Sequence, residues 1–292
     1  MSAEITPHTP SKVVLITGCS SGIGRAAALR LAAAGHTVYA TARRPDSIAE
    51  LKEKGCRLLA LDVTSEASMA AAVGQIEAEH GAVGVLINNA GYSQSGAVEA
   101  VPVERMRAQF ETNVWGPMRL AQLVLPKMRR QRWGKIVNVS SMGGKLVFPG
   151  GGVYHASKYA VEALSDALRF EVRGFGVDVV LIEPGLIKTG FGDAAVATIE
   201  PPKSEASAAY ATFDEAVARA TKEVYEKGPL ARLAGSADDV AAAIEKAITA
   251  KRPKARYTVS ASAKLLLAQR AVLSDRAWDA FLRGNFPSPG EP

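Results

Sequence analysis

Residues 17–24 read Thr-Gly-Cys-Ser-Ser-Gly-Ile-Gly and lie between an apolar run and a stretch rich in Ala and Leu. Glycines at such a strand-to-helix turn let the backbone approach a pyrophosphate, which then lies at the positive end of the following helix. Three residues separate the first two glycines, so the spacing differs from G-x-G-x-x-G. The alternative interpretation is that these glycines only form a tight turn and bind no ligand. The residues expected to bind a dinucleotide here are Gly18, Ser20, Ser21, Gly22, Ile23 and Gly24.

On both sides of this loop, apolar runs alternate with stretches of helical periodicity, which indicates repeated βαβ units. The sequence therefore predicts an α/β fold, a doubly wound (Rossmann) three-layer arrangement with a seven-stranded parallel sheet. The expected strands are 12–18, 37–43, 57–63, 83–89, 135–140, 177–183 and 256–259. The expected helices are 22–34, 65–80, 102–130, 153–174, 205–227 and 236–249.

The 292 residues divide into three predicted parts. Residues 1–11 are expected to be a flexible tail, residues 12–260 the Rossmann domain, and residues 261–292 a C-terminal helical extension. The extension contains two amphipathic stretches, 263–270 and 276–282, which fold onto their own or a neighbouring subunit or, alternatively, rest on a membrane surface.

Composition limits the classes of function. The net charge of +6 comes from scattered basic residues, which does not favour nucleic-acid binding. Two cysteines give neither a disulfide framework nor a metal site, so a reducing, cytoplasmic setting is expected. Cys19, inside the glycine loop, is either activated by a helix N-terminus or a buried inert thiol. No apolar run is long enough to span a membrane, so at most peripheral membrane contact is expected.

The end of the second strand indicates the cofactor. Arg43 and Arg44 stand there with no acid before Asp46. Because guanidinium groups pair with a 2′-phosphate, NADP(H) is favoured over NAD(H), although both arginines being merely solvated remains an alternative. Asp62, followed by Val63, is expected to accept from the adenine amino group, and an N-cap role for Asp62 or Thr64 is the alternative.

A second chemical signal is the pair Tyr154 and Lys158 within a predicted helix. Four residues apart, the phenol and the ammonium lie on one helical face, where the cation is expected to lower the tyrosine pKa. Ser141, thirteen residues upstream, ends a strand and is expected to donate to a substrate oxygen. The neighbouring Ser140 is the alternative for that role.

Three further motifs follow in order: Asn88-Asn89-Ala90-Gly91, Asn113-Val114-Trp115-Gly116 and Pro184-Gly185. Together with the glycine loop and the Tyr154–Lys158 pair, they resemble the short-chain dehydrogenase/reductase family in its single-domain branch, from residue 12 to about 259. The resemblance implies an oxidoreductase that transfers hydride directly between a nicotinamide and a carbonyl or alcohol carbon, without a metal.

The resemblance also implies roles for individual residues. Asn113 would hold a water that connects Lys158 to solvent, while Ser141 holds the carbonyl oxygen and Tyr154 delivers the proton. Lys158 would also hold the nicotinamide ribose. The cofactor would further contact a group of residues downstream of the glycine loop: Asn89, Ala90, Gly91, Pro184, Gly185, Ile187 and Thr189.

The substrate is less determined. The resemblance implies a lid at about 186–233, and the residues Tyr92, Met142, Val147 and Phe148 indicate an apolar pocket, or else ordinary core. The chain is similar to the hydroxysteroid, retinol and carbonyl reductase branches, which implies a bulky hydrophobic ketone, aldehyde or alcohol, with general carbonyl reduction as the alternative. A homodimer or homotetramer through helices 102–130 and 153–174 is also implied. The rival functions are a non-catalytic NADP sensor and a lyase or epimerase on the same scaffold.

Overall fold

The computed structural model describes residues 9–201, 205–284 and 286–289. The strands within them are β1 (Val14–Ile16), β2 (Val38–Ala42), β3 (Arg57–Ala60), β4 (Val85–Asn88), β5 (Gly134–Val139), β6 (Val177–Pro184), β7 (Ile187–Lys188), β8 (Gly235–Ser236) and β9 (Arg256–Val259). The helices are α1 (Gly22–Ala33), α2 (Glu50–Glu53), α3 (Glu66–His80), α4 (Val103–Phe110), α5 (Gly116–Arg130), α6 (Gly152–Val172), α7 (Phe191–Val196), α8 (Glu205–Ala208), α9 (Ala211–Glu226), α10 (Gly228–Arg232), α11 (Ala237–Thr249), α12 (Ala261–Val272) and α13 (Asp275–Arg283).

Seven strands form one parallel sheet in the order β3-β2-β1-β4-β5-β6-β9. These are the seven predicted strands, so the predicted sheet is confirmed. β1 and β4 are neighbours although β2 and β3 separate them in the chain, which makes this pair the point where the winding reverses. In open α/β sheets, ligands bind at the carboxyl ends of the strands beside such a point.

Helices cover both faces of the sheet, because alternate strand residues point to opposite sides. On β1, Val14 and Ile16 pack with the apolar sides of α1 and α11. Leu15, between them, packs with α3 and α5 on the other face. The two apolar layers are the core, and they confirm the predicted three-layer arrangement.

The predicted helix 102–130 is interrupted at its middle. A π-helical turn at Glu111–Trp115 separates α4 from α5. Pro117 explains the interruption, because it has no amide to bond the carbonyl of Asn113 and its ring crowds that position. Such turns are frequent at functional sites.

Two short strands were not predicted. β7 and β8 form a separate parallel pair in which Ile187 lies opposite Gly235. Two residues are too few to show a periodic pattern, so only the folded chain reveals them.

The two ends of the chain differ in how they attach. Residues 1–8 of the predicted tail lie outside the described residues, whereas Ser11 donates to the Ala82 carbonyl at 2.7 Å. In the C-terminal extension, Trp278 of α13 is 4% exposed and packs in a cluster with Leu266 of α12. Among the described helices, none is both long and apolar enough to cross a membrane.

Candidate active site

The glycine loop after β1 is held by the chain that follows β4. The Thr17 hydroxyl accepts from the backbone amides of Asn89 and Ala90, each at 3.0 Å. In return, Asn89 Nδ2 donates to the carbonyl oxygens of Thr17 at 2.9 Å and Gly18 at 3.0 Å. The two predicted motifs therefore form one hydrogen-bonded unit at the point where the winding reverses.

Glycine is needed at two positions of this loop. Gly18 has φ +72°, and a Cβ there would lie 2.9 Å from the Ala90 Cα. A Cβ on Gly24 would overlap the Gly18 carbonyl and the Asn89 amide. The loop thus packs too closely for any side chain at either position.

The N-terminus of α1 is open to an anion. Its N-cap, Ser21, makes no side-chain capping hydrogen bond, and its first turn carries no acid. The amides of a free helix N-terminus bind phosphate groups through hydrogen bonds and the helix dipole. The cradle therefore fits the pyrophosphate of a dinucleotide.

Arg43 and Arg44 lie exposed after β2, at the edge of the same cavity as Asp62. Asp62 Oδ1 accepts from the amide and hydroxyl of Thr64, at 2.9 and 2.8 Å. These bonds, the amide first, hold the pKa of Asp62 below its usual value, and Arg43 adds to the effect. The N-cap of α3 is Ser65, which accepts from the Ser68 amide at 3.3 Å. The alternative N-cap role for Asp62 or Thr64 is therefore wrong.

The two serines after β5 have different surroundings. Ser141 Oγ accepts from the Gly143 amide at 3.0 Å and interacts with the Tyr154 phenol. The Ser140 side chain is buried, and its hydroxyl has no partner in the part of the chain that is described. The contact with Tyr154 favours Ser141 over Ser140 as the group that would meet a substrate oxygen.

Tyr154 and Lys158 lie one turn apart on α6. Burial raises the pKa of Tyr154 to about 12, and the side-chain interaction with Ser141 only partly opposes the rise. The sequence predicted that Lys158 would lower this pKa, but the pKa is raised, and Lys158 is not among the groups that shift it. Lys158 Nζ lies 5.8 Å from the Tyr154 ring centroid. A phenol with this pKa is neutral at pH 7 and can donate a proton.

The Lys158 ammonium is buried as well. It donates to the Val139 carbonyl at 2.8 Å, which ties α6 to the end of β5. Burial lowers the pKa of Lys158 to about 8, while the carboxylate of Glu162 raises it. The lysine can therefore exchange a proton near neutral pH.

Asn113, in the π-helical turn, does not line the cavity. Its side chain accepts from the Tyr92 amide at 3.1 Å and donates to the Tyr92 carbonyl at 3.0 Å. It also donates to Ser157 Oγ at 3.1 Å, and Ser157 donates to the Tyr154 carbonyl at 2.7 Å. Asn113 is thus linked to Tyr154 through Ser157. Its role in a water relay stays a prediction.

One cavity of about 1180 Å³ joins these groups. All predicted site residues line it except Gly24, Asn113 and Val147. Val147 was expected to line the substrate pocket, but its side chain is 43% exposed, while its carbonyl accepts from Trp278 Nε1 at 3.3 Å. Because Val147 is not among the residues that line the cavity, its predicted place in the pocket is wrong.

His155, next to Tyr154, was missed by the sequence reasoning. Its buried ring is bonded on both sides: Nδ1 donates to the Gly143 carbonyl at 3.0 Å, and Nε2 accepts from the Phe148 amide at 3.2 Å. Burial lowers its pKa, which favours this neutral form. The ring thereby fixes the loop that carries Met142 and Phe148 beside the catalytic pair.

The cavity continues into an apolar end that the sequence indicated only in part. Side chains of the lid region and of the C-terminal helices line it, among them Phe191, Tyr225, Leu230, Leu266, Phe281 and Leu282. No local motif marks them. The amphipathic pattern of the last two helices was the available signal, since their apolar sides face this wall.

A family comparison and two relatives agree with this geometry. Residues 12–200 match the family model described as short chain dehydrogenase. The chain is 45% identical over 183 residues, 62% of this chain and 66% of the relative, to a 3-ketodihydrosphingosine reductase of Bacteroides thetaiotaomicron. It is 35% identical over 279 residues, 92% of this chain and 95% of the relative, to an NADPH-dependent 3-dehydrocapnine reductase of Ornithobacterium rhinotracheale.

Solved structures extend the likeness over the whole fold. A short-chain dehydrogenase from Streptomyces avermitilis has a TM-score of 0.76 at 35% identity, covering 97% of this chain and 99% of that one. A serine dehydrogenase in complex with NADP+ gives 0.72 at 28% identity, covering 85% of this chain and 94% of that one. A short-chain dehydrogenase/reductase from Burkholderia phymatum in complex with NAD gives 0.74 at 27% identity, covering 97% of this chain and 98% of that one. Similar structures thus hold either cofactor.

Proposed function

The chain belongs to the short-chain dehydrogenase family and is an oxidoreductase of that type, and we propose that it uses NADPH to reduce the carbonyl group of a bulky, hydrophobic ketone or aldehyde. The observation that carries this proposal is the contact between Ser141 and a neutral Tyr154 on the wall of a cavity whose other end holds the glycine loop and two arginines. A proton donor and a dinucleotide cradle in one cavity are what carbonyl reduction requires.

The cofactor preference rests on the end of β2. Arg43 and Arg44 are exposed at the cavity edge and free to pair with a 2′-phosphate. The NADPH-dependent relative supports this choice, whereas the NAD-bound neighbour leaves NAD(H) as the weaker candidate. When bound, the dinucleotide supplies the two-electron chemistry, and the residues of the chain supply position and protons.

The side chains of the site would share that work. Ser141 holds the carbonyl oxygen and stabilises its developing negative charge, and Tyr154 donates its proton to the same oxygen. Lys158, whose pKa of about 8 lies near the working pH, restores the tyrosine proton. Asn113, Ser157 and the Tyr154 backbone form a bonded path that keeps α6 in place for this transfer.

The substrate class follows from the apolar end. A cavity of about 1180 Å³ lies above the roughly 300–1,000 Å³ of ordinary small-molecule pockets, which supports a site shared by a cofactor and a substrate. The side chains of Phe191, Leu230 and Leu282 favour an apolar chain or ring there. The two relatives named as reductases of 3-ketodihydrosphingosine and 3-dehydrocapnine support a substrate of this kind.

We further propose that the protein works in the cytoplasm as a homodimer or homotetramer through α5 and α6. Both cysteines are unpaired and buried, which fits a reducing setting. Phe170 of α6 is 85% exposed and Trp115, just before α5, is 50% exposed. Covering such side chains is a common reason for subunits to associate. Light scattering of the purified protein measures the oligomeric state.

The decisive experiment follows absorbance of NADPH and NADH in parallel with small, aromatic and long-chain ketones. We expect NADPH oxidation with bulky ketones and loss of at least about a hundredfold in Tyr154→Phe, since a general acid contributes on that order. Tyr159→Phe, which changes a phenol on the same helix outside the cavity, is the control. Tight NADPH binding without turnover in either direction would contradict the proposal and favour the sensor.

A further inference from the structure

Tyr225, on α9 of the lid region, brings a second phenol to the catalytic end of the cavity. Its ring packs against Gly192 of α7, where a Cβ would lie 2.9 Å from Tyr225 Cε2. The preceding residue, Phe191, packs on Tyr154 with 5.5 Å between ring centroids. The two tyrosines therefore contact consecutive residues at the start of α7, and both line the same cavity.

The Tyr225 ring lies in apolar surroundings. The ring packs in the cluster that contains Met142 and Leu186. No group in the described segments hydrogen bonds the hydroxyl, although a phenol held in apolar surroundings normally finds a partner. Burial raises the pKa of Tyr225, so the phenol is neutral and can donate or accept. Its electrostatic interaction with Tyr154 also raises the pKa of Tyr154, which places the two phenols within each other's influence.

We propose that Tyr225 determines specificity by hydrogen bonding a hydroxyl or amino group that the substrate carries near its carbonyl. The assignment rests on the proposed reductase function, in which Ser141 and Tyr154 engage the carbonyl oxygen. Tyr225 is then the neighbouring phenol available for a second polar group. The preferred substrate is a ketone with such a group near the carbonyl and an apolar chain for the rest of the pocket. The carbon beside the carbonyl is the nearest position that such a group can occupy.

Discrimination would follow from the Tyr225 hydroxyl, which has no hydrogen-bond partner among the residues that the structure describes. A plain ketone of the same length would fill the apolar end but leave the Tyr225 hydroxyl without a partner. A site built to bond a substrate hydroxyl or amine rejects the analogue that lacks it, because its own polar group is then buried unsatisfied. Tyr225→Phe keeps the ring packed on Gly192 and removes only the hydroxyl, so it separates this role from a structural one.

The test compares three long-chain ketones of equal length: one with a hydroxyl on the carbon beside the carbonyl, one with an amine there, and one with neither. The proteins are wild type, Tyr225→Phe and Tyr159→Phe, the last changing a phenol that is 42% exposed and outside the cavity. We expect Tyr225→Phe to lower kcat/KM for a substituted ketone by about tenfold, mainly through KM, because one hydrogen bond is lost. The plain ketone should change less than about threefold, and Tyr159→Phe should change none of them.

The outcomes separate the two proposals. An equal change for all three ketones in Tyr225→Phe, or no change for any, overturns the role of Tyr225 and leaves the reductase function standing. If wild type oxidises NADPH with none of the three ketones, the reductase function for this substrate class is overturned together with the assignment. Unchanged NADPH affinity in Tyr225→Phe verifies that the variant is folded.

Discussion

Lys158 Nζ is bonded to the Val139 carbonyl at 2.8 Å while the carboxylate of Glu162, one turn further along α6, raises its pKa. The ammonium is thus fixed between the end of β5 and a buried acid. Burial nevertheless keeps the pKa of Lys158 at about 8, well below its usual value. The charge of the lysine therefore depends on a neighbour that does not itself line the cavity.

Glu162→Gln is expected to change the pH profile of reduction. The charged form of Lys158 is present below its pKa, so kcat/KM should fall as pH rises through about 8. Removing the carboxylate lowers that pKa, and the alkaline limb should move to lower pH. Steady-state rates across the neutral and alkaline range measure the shift. Glu162 and Asp166 both pair with Arg256, at 2.9 and 2.7 Å, but only Glu162 shifts the pKa of Lys158, so Asp166→Asn is the control. An unmoved limb in Glu162→Gln would contradict the coupling.

Thr17→Val is expected to weaken both the fold and cofactor binding. Its hydroxyl is the acceptor for two backbone amides, those of Asn89 and Ala90. Leaving both unsatisfied should lower the free energy of unfolding by about 2–4 kcal/mol and release the glycine loop. Urea unfolding and NADPH titration measure the two effects. Thr17→Ser keeps the hydroxyl and should restore both; failure of this rescue would show that the methyl packing matters instead.

The double variant Arg43→Ala, Arg44→Ala is expected to weaken the binding of NADPH much more than the binding of NADH. A hydrogen bond to a charged group contributes about 1.5–3 kcal/mol, so one lost phosphate contact weakens NADPH binding by roughly ten- to a hundredfold. NADH has no 2′-phosphate and should bind almost as before. Lys52→Ala, which removes a cation from outside the cavity, is the control for net charge. An equal loss of affinity for NADPH and NADH would mean that the arginines do not bind the 2′-phosphate.

Sequence reasoning succeeded where a physical requirement is local. Gly18 and Gly24 are forced by close backbone contact, and the five inner strands of the sheet are short, mostly apolar runs that are buried almost throughout. It failed where the outcome depends on distant partners. Val147 does not line the cavity, and its carbonyl accepts from Trp278 Nε1, 131 residues later. Tyr225 reaches the site only through the packing of α9 on Gly192, which no motif encodes.

Cys19 is expected to resist thiol reagents in the folded protein. It is fully buried, and desolvation raises its pKa to about 12, so almost no thiolate exists at neutral pH. Of the two alternatives predicted for Cys19, the buried inert thiol is therefore favoured over the activated thiol. Burial raises the pKa of the thiol by more than the helix dipole lowers it. Maleimide labelling followed by mass spectrometry should show neither Cys19 nor the buried Cys56 modified until denaturant is added. Rapid labelling of native protein at Cys19, slowed by NADPH, would contradict this expectation.

Trp278→Ala should show whether α13 stabilises the fold and the substrate wall together. The indole is 4% exposed and lies between Phe148 and Phe281, with ring centroids 6.0 and 5.2 Å away. Truncation leaves a large cavity, so the free energy of unfolding should fall by about 3–5 kcal/mol. Phe148 and Phe281 both line the substrate end, and losing their shared support should raise KM for bulky ketones while NADPH affinity stays unchanged.

Val272→Ala is the matched control, because that side chain at the end of α12 is 82% exposed and its truncation should change stability by less than about 0.5 kcal/mol. Denaturant unfolding and ketone kinetics on both variants complete the comparison. A raised KM in Trp278→Ala with unchanged NADPH affinity would assign the C-terminal helices to the substrate pocket. A loss of NADPH affinity of the same size would instead mean that α13 supports the whole domain, because the glycine loop lies at the opposite end of the cavity and has no contact with Trp278 among the described interactions.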